Sequence, residues 1–270
     1  MGGRLVLVGC GKMGGALLGG WLDRGWAAAD ISVVEPDAAS AEHLKEKWGI
    51  AAVADPGELD PGAETVVFAV KPQVMADMVH AYRPFAVGGA VFLSIAAGTP
   101  TAFLKGFLGA DAAIVRAMPN TPAAVGRGIT VLCANPHVTA DQRAACTNLL
   151  AAVGETAWTE DEGDMDAVTA VSGSGPAYVF LLIECLAEAG VAAGLGADLA
   201  ARLARATVAG AGELARLSDD PAATLRQNVT SPGGTTAAAL DVLMAGDGLQ
   251  PLMTRAVAAA TARGRELAGG

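Results

Sequence analysis

The sequence predicts an α/β chain in two parts: a mainly parallel, doubly wound sheet over residues 1–158 and an all-helical domain over residues 159–270. Three observations carry this. Up to residue 158, short β-rich runs alternate with segments of helical spacing; a glycine-rich turn joins the first run to the first such segment; and beyond Trp158 the β-branched runs give way to long Ala/Leu stretches. Alternation of this kind means βαβ units with crossover helices.

The expected strands, in order, cover residues 4–8, 31–35, 65–70, 90–95, 113–117, 129–133 and 155–158. Helical spacing between them marks segments such as 14–24, 38–48, 73–82 and 140–153. In the second part Thr159 with Glu162 reads as a capping box opening the first helix. Pro176 suits the first position of another, Asp220-Pro221 opens a third, and Thr235 or Thr236 opens the one after that. No internal repeat or low-complexity linker interrupts the pattern.

Composition narrows the function. The 270 residues are 52% hydrophobic, enough for a packed core. The longest apolar run, over residues 177–195, is broken by Glu184 and Glu188, so no membrane span is expected. The chain runs into Arg4-Leu5-Val6-Leu7-Val8-Gly9 without basic leader, cleavage site or myristoylation pattern, which gives the expectation of a cytoplasmic protein. Cys10, Cys133, Cys146 and Cys185 form no CxxC pair, so neither a disulfide framework nor a metal site is expected. The net charge of −10 argues against nucleic acid as a partner. Residues 159–270 carry 7 basic and 14 acidic side chains. An anionic ligand there has to be held by local donors.

Gly9-Cys10-Gly11-Lys12-Met13-Gly14 follows a strand and precedes a helix, the context in which GxGxxG signals a Rossmann-type dinucleotide site. The first glycine permits the turn, the second admits a pyrophosphate, and the third lets helix pack on strand. Helix N–H groups and dipole favour the anion. Glu35 ends the second strand about 20 residues on, where an acidic side chain takes the ribose hydroxyls. No Arg or Lys follows before Lys45, so a 2′-phosphate lacks an obvious local partner and the motif leans towards NADH. As a strand-end carboxylate, Glu35 also fits plain solvation. Ala69-Val70-Lys71-Pro72 and Arg116-Ala117-Met118-Pro119-Asn120-Thr121-Pro122 leave later strands at their carboxyl ends. Together they read as the ribose and nicotinamide side of a cleft.

The helical part holds none of the three histidines or five lysines. Dehydrogenases that need a Lys or His proton donor there fit poorly, whereas an imine substrate, protonated in water, accepts hydride without one. Ser231, Gly233, Gly234, Thr235 and Thr236 at a helix start then read as an uncharged carboxylate cradle. The same residues also suit an ordinary helix–turn–helix connection. The Ser172-Gly173-Ser174-Gly175-Pro176 turn, again hydroxyls and glycines at a helix start, favours the cradle.

From GCGKMG through AVKPQ and RAMPNTPA to AVSGSGPAY and VTSPGGTT, the sequence resembles the pyrroline-5-carboxylate reductases. The resemblance implies NADPH- or NADH-dependent reduction of the cyclic imine 1-pyrroline-5-carboxylate to L-proline, the last step of proline biosynthesis. It implies a homodimer with interlocked helical domains, sometimes assembled into decamers, with a site completed across the dimer. By motif, Gly9, Cys10, Gly11, Lys12, Met13 and Gly14 would hold the pyrophosphate, Ala69, Val70, Lys71 and Pro72 the ribose region, and Asn120 the nicotinamide end. Ser231, Gly233, Gly234 and Thr235 would grip the substrate carboxylate, with Ser172 and Ser174 beside it. Thr236 would hydrogen-bond the imine nitrogen, and no metal is implied. The family generally prefers NADPH, which Glu35-Pro36-Asp37 does not obviously serve. Two other readings of the residues are a β-hydroxyacid dehydrogenase, short of its helical-domain lysine, and a non-catalytic dinucleotide-binding regulator.

Overall fold

The computed structural model describes residues 4–268; residues 1–3 and 269–270, the outer ends of the two expected domains, lie outside the described residues. Eight strands form one sheet: β1 (Leu5–Val8), β2 (Ile31–Val34), β3 (Ala52–Val53), β4 (Thr65–Phe68), β5 (Val91–Ser94), β6 (Ala113–Met118), β7 (Gly128–Ala134) and β8 (Gly154–Trp158). Their order is β3-β2-β1-β4-β5-β6-β7-β8, parallel throughout except that β7 runs antiparallel to β6. The seven expected strands are all present. β3 is the addition, two Ala/Val residues at the sheet edge, too short to show a period. β1 lies between β2 and β4, so the chain reverses its direction of travel across the sheet there. Such a switch point opens a crevice at the carboxyl ends of the strands, where α/β sheets bind ligands.

The helices up to residue 173 are α1 (Lys12–Asp23), α2 (Ala38–Trp48), α3 (Pro72–Met78), α4 (Arg83–Val87), α5 (Thr101–Leu108), α6 (Ala140–Leu150) and α7 (Met165–Val168). The helix expected over 73–82 is interrupted: α3 ends at Met78, and a 3₁₀ turn, Val79–Tyr82, leads into α4, which carries a proline in its first turn. Strands β1 and β4 are buried on both faces, as parallel strands between helices must be. The two buried apolar clusters lie on opposite faces of the sheet, one containing Leu5, Leu7, Leu17, Trp21 and Val67, the other Val6, Val8, Phe68, Tyr82 and Phe92. Trp21, fully buried on α1, also donates its indole N–H to the Leu149 carbonyl at 2.9 Å and so ties α1 to α6.

The remaining helices are α8 (Gly175–Ala192), α9 (Ala197–Leu217), α10 (Ala222–Asn228), α11 (Thr235–Leu243) and α12 (Leu249–Ala268). Compactness divides the chain into residues 4–173 with 261–268 as one unit and 174–260 as the other. Residue 158 is the end of the last strand, and the compact division comes at 173, since the segment between packs with the sheet unit. In the second unit small residues bring α8 and α9 together: a Cβ on Gly190 would meet the Ala200 Cβ at 3.2 Å. Of that unit's described residues only Ala200 and Ala204 are buried. Phe180, Leu181 and Leu182 on α8 stand 59%, 57% and 50% exposed. By length and composition alone, an 18-residue stretch within residues 162–192, with a mean hydropathy of 1.5, is apolar enough to cross a membrane, which corrects the expectation that no segment qualifies. The two glutamates interrupt the run too sparsely to outweigh its apolar residues.

The expected capping box at Thr159 is also corrected. Thr159 donates its hydroxyl to Asp164 at 2.5 Å, and Asp161 caps the short 3₁₀ turn Glu162–Asp164. Glu162 turns instead to the start of α5, accepting from the Thr101 N–H at 2.8 Å and the Thr101 hydroxyl at 2.6 Å. It also accepts from Arg116 at 3.2 Å, whose side chain is only 7% exposed. A buried guanidinium and an uncapped helix end attract a carboxylate more strongly than its neighbour's backbone does.

Removing that carboxylate leaves Arg116 without its counter-ion. Glu162→Ala should lose about 2–3 kcal/mol in urea unfolding, the exposed edge of Glu162 holding the loss below that of a fully buried pair. A loss under about 1 kcal/mol would remove the pair from the account of the fold.

Candidate active site

The glycine loop is built by contact. Gly9 has φ of +81°, and its N–H donates to the Val34 carbonyl at 2.9 Å. A Cβ there would lie 2.6 Å from Val70 Cγ1 and 3.1 Å from the Ala69 carbonyl oxygen. Gly14 is packed against the Gly9 carbonyl, which any Cβ would strike. Gly11 differs: as the N-cap of α1 it has an ordinary extended backbone, and a Cβ would meet nothing within 4 Å. First and third glycines close the loop, and the second leaves open space. α1 has no side-chain cap and no acid in its first turn. The unspent N–H groups there, and the space over Gly11, fit a pyrophosphate.

Ala69, Val70, Lys71 and Pro72 follow β4, next to β1, and the contacts of Val70 and Ala69 with Gly9 bring the two expected motifs together. Lys71 is the exposed N-cap of α3, with Pro72 at the first helical position. Lys12 is exposed, and Met13 packs on the core beneath α1. Cys10 is half-buried, and burial together with the nearby Glu35 carboxylate pushes its thiol up to about 11, despite an opposing pull from Lys47. It is a protonated, poorly nucleophilic thiol at neutral pH. Glu35 accepts from the Cys10 N–H at 3.0 Å and from the Asp37 N–H at 3.2 Å, which seats its carboxylate on the loop.

Asn120 follows β6 and is buried. Its side-chain oxygen accepts from the Ile129 N–H at 3.0 Å, and its amide donates to the Ser172 carbonyl at 3.1 Å. The residue expected at the nicotinamide end is thereby a brace between β7 and the serine-glycine turn. Neither partner was visible in the sequence, since they lie 9 and 52 residues away. The turn is a π-helical stretch, Thr169–Gly173, of a type that recurs at functional sites. The Ser172 hydroxyl donates back to the Val168 carbonyl at 2.9 Å, and Ser174, the N-cap of α8, makes no capping bond with its side chain.

In the second unit Ser231-Pro232-Gly233-Gly234 forms a β-turn closed by the Gly234 N–H on the Ser231 carbonyl at 3.0 Å. Proline second and a third residue at φ of +68° are the marks of type II, and explain the glycine at 233. Gly234 then caps α11, which has no side-chain cap, and Thr235 and Thr236 occupy its first turn. No acidic side chain stands in the first turn of this helix to compensate its donors, as an uncharged anion cradle requires.

Two of the loop glycines should separate fold from binding. Gly14→Ala should cost about 1–3 kcal/mol of stability by overpacking. Gly11→Ala should cost under about 1 kcal/mol, yet weaken reduced-dinucleotide binding about tenfold or more, as its methyl enters the open space. Urea unfolding beside a fluorescence titration reads both; equal stability losses for the two variants would contradict the division of roles.

Comparison with known proteins bears on the same residues. Residues 162–267 match the family model described as pyrroline-5-carboxylate reductase dimerisation, and residues 4–98 match NADP oxidoreductase, coenzyme F420-dependent. The pyrroline-5-carboxylate reductase of Pseudomonas aeruginosa is 41% identical over 265 residues, covering 98% of this chain and 97% of that one. The Pisum sativum enzyme is 37% identical, covering 97% and 95%. Among solved structures, a pyrroline-5-carboxylate reductase from Coxiella burnetii aligns with a TM-score of 0.94 at 35% identity over 99% of each chain. Plasmodium falciparum pyrroline carboxylate reductase with NADP bound aligns at 0.82 and 30% identity, over 98% of each. On sequence and fold alike, the chain belongs to the pyrroline-5-carboxylate reductase family.

Proposed function

We propose that this protein reduces 1-pyrroline-5-carboxylate to L-proline with NADPH or NADH, the closing step of proline biosynthesis. The observation that carries the reading is the type II turn at Ser231-Pro232-Gly233-Gly234, which presents an uncharged helix start to an anion. A carboxylate on a small neutral or cationic ring suits it, because in the more acidic half of the chain the grip must come from N–H and hydroxyl donors.

When bound, the reduced nicotinamide supplies a hydride to the imine carbon. Residues 4–158 would act as the dinucleotide domain: the open space over Gly11 takes the pyrophosphate, and Ala69, Val70, Lys71 and Pro72 bound the ribose region. Asn120 holds the serine-glycine turn in place beneath the nicotinamide end. Ser231, Gly233, Gly234 and Thr235 fix the carboxylate, with Ser172 and Ser174 beside it. Thr236 hydrogen-bonds the imine nitrogen, which ends the reaction carrying one proton more, and water can supply that proton. Fixing the two reactants in register is worth up to roughly 7–11 kcal/mol of barrier.

Residues 159–270 would carry the substrate and the dimer contact. The exposed Phe180, Leu181 and Leu182, and the match of this segment to a dimerisation model, support a homodimer with interlocked helices that can build a decamer, the cradle of one chain serving the cofactor of the other. No nucleic acid or membrane takes part in this reading, and the enzyme works in the cytoplasm.

Mixing pure protein, pyrroline-5-carboxylate and either reduced coenzyme should bleach the nicotinamide absorbance, and Thr236→Ala should slow turnover about 100-fold with coenzyme binding intact. A folded, coenzyme-binding protein that turns over no imine would refute the assignment. Light scattering should give at least twice the chain mass of 26.9 kDa; a monomer would contradict the interlocked dimer.

A further inference from the structure

We infer that Glu35 makes this chain select NADH over NADPH. The inference rests on the dinucleotide site proposed above and deepens it, and it departs from the family member solved with NADP bound.

An ionised carboxylate offers about four lone-pair positions and no proton. On Glu35 two of them are spent: Oε2 accepts from the Cys10 N–H at 3.0 Å, and Oε1 from the Asp37 N–H at 3.2 Å. These bonds hold the side chain at the end of β2, against the glycine loop, half-buried. The free lone pairs, one on each oxygen, match the two vicinal hydroxyls of an adenosine ribose, both of which donate. A 2′-phosphate changes every part of this match. It replaces the donor with acceptors and brings negative charge against Glu35.

Asp37 adds to the barrier. Its carboxylate accepts from the Ser40 N–H at 2.8 Å as the N-cap of α2, and that bond holds it below the ordinary carboxylate range, hence charged at neutral pH. Two carboxylates therefore stand within three residues at the strand end. Lys47, which also acts on the Cys10 thiol, offsets them only in part, its pull there being weaker than that of Glu35. Lys45 and Lys47 come in the last turn of α2, and Lys47 lies over the Trp48 ring at 4.1 Å. With Lys12 and His43, Lys47 lines a groove of about 1050 Å³ along α1, to which Glu35 contributes nothing. Lys12, at the start of α1, is placed to meet the pyrophosphate, which both coenzymes carry alike.

The test is binding rather than turnover. Nicotinamide fluorescence titrations at fixed ionic strength, without imine, give the ratio of the NADPH to the NADH dissociation constant. For the native protein the ratio should be about ten or more, the scale of one like-charge contact at a partly exposed site. Glu35→Ser, which removes charge and bulk, should tighten NADPH, weaken NADH and lower the ratio at least fivefold. Glu35→Gln, which keeps the shape and the acceptor towards Cys10 but gives up one acceptor oxygen, should lower it mainly through tighter NADPH, with a smaller loss of NADH affinity. A native protein that binds NADPH as tightly as NADH, or a ratio unmoved in both variants, overturns the inference. Because no imine is present, the ratio decides this even if the protein reduces none, and an imine reductase that prefers NADPH would sink the inference while leaving the proposed function standing.

Discussion

The close approach of α1 to β1 is the constraint on which the nucleotide end of this molecule depends. Gly14 rests on the Gly9 carbonyl, and Gly9 in turn has room for nothing but hydrogen beside Val70 and Ala69. Three chain segments, leaving β1, entering α1 and leaving β4, therefore meet at one point. Any side chain there would push α1 away from the sheet, and with it the N–H groups that face the crevice. The rest of the unit reinforces that position: Leu17 and Leu18 are fully buried beneath α1, and Trp21 locks its last turn to α6.

Further from the loop, two polar side chains hold the crevice in shape. Asn120 uses both ends of its amide in a brace between β7 and the π-helical turn, and Glu162 spends its carboxylate on α5 and Arg116. Buried polar groups are costly unless paired, and each of these has partners on two segments of the chain. The second unit is stabilised otherwise. With Ala200 and Ala204 its only buried residues among those described, it lacks a core of its own, and its apolar surface belongs to an assembly larger than one chain.

What the sequence reveals of this arrangement follows from how local each physical demand is. Gly9, Gly14 and Gly233 were legible because backbone conformation and contact admit one residue type there. The Pro232-Gly233 pair predicts its turn for the same reason, and Glu35 follows from counting along a strand. β3 was not legible, since two residues carry no period. Glu162 was misassigned to Thr159, three residues away, because its partners Thr101 and Arg116 are 61 and 46 residues distant. Asn120 was seen as a site residue, but its bracing role depends on Ser172, brought near only by the fold. The exposed face of α8 was read as apolar without a sign of what covers it.

On the proposed reading, two glycine-built helix starts, one taken as the seat of a pyrophosphate and an uncharged one as that of a carboxylate, make a consistent design for a reductase whose substrate supplies its own electrophile. The proposed carboxylate cradle uses no charged side chain, so a ring nitrogen that gains positive charge on protonation meets no cation within it. The claim at the centre of this account is that hydride passes directly from coenzyme to imine carbon. Its most direct test is coenzyme deuterated on one face of nicotinamide C4, turned over with pyrroline-5-carboxylate, with the proline analysed by mass spectrometry and NMR. The account predicts one deuterium, on the δ-carbon, from one coenzyme face only. Proline formed without deuterium from either face would contradict it.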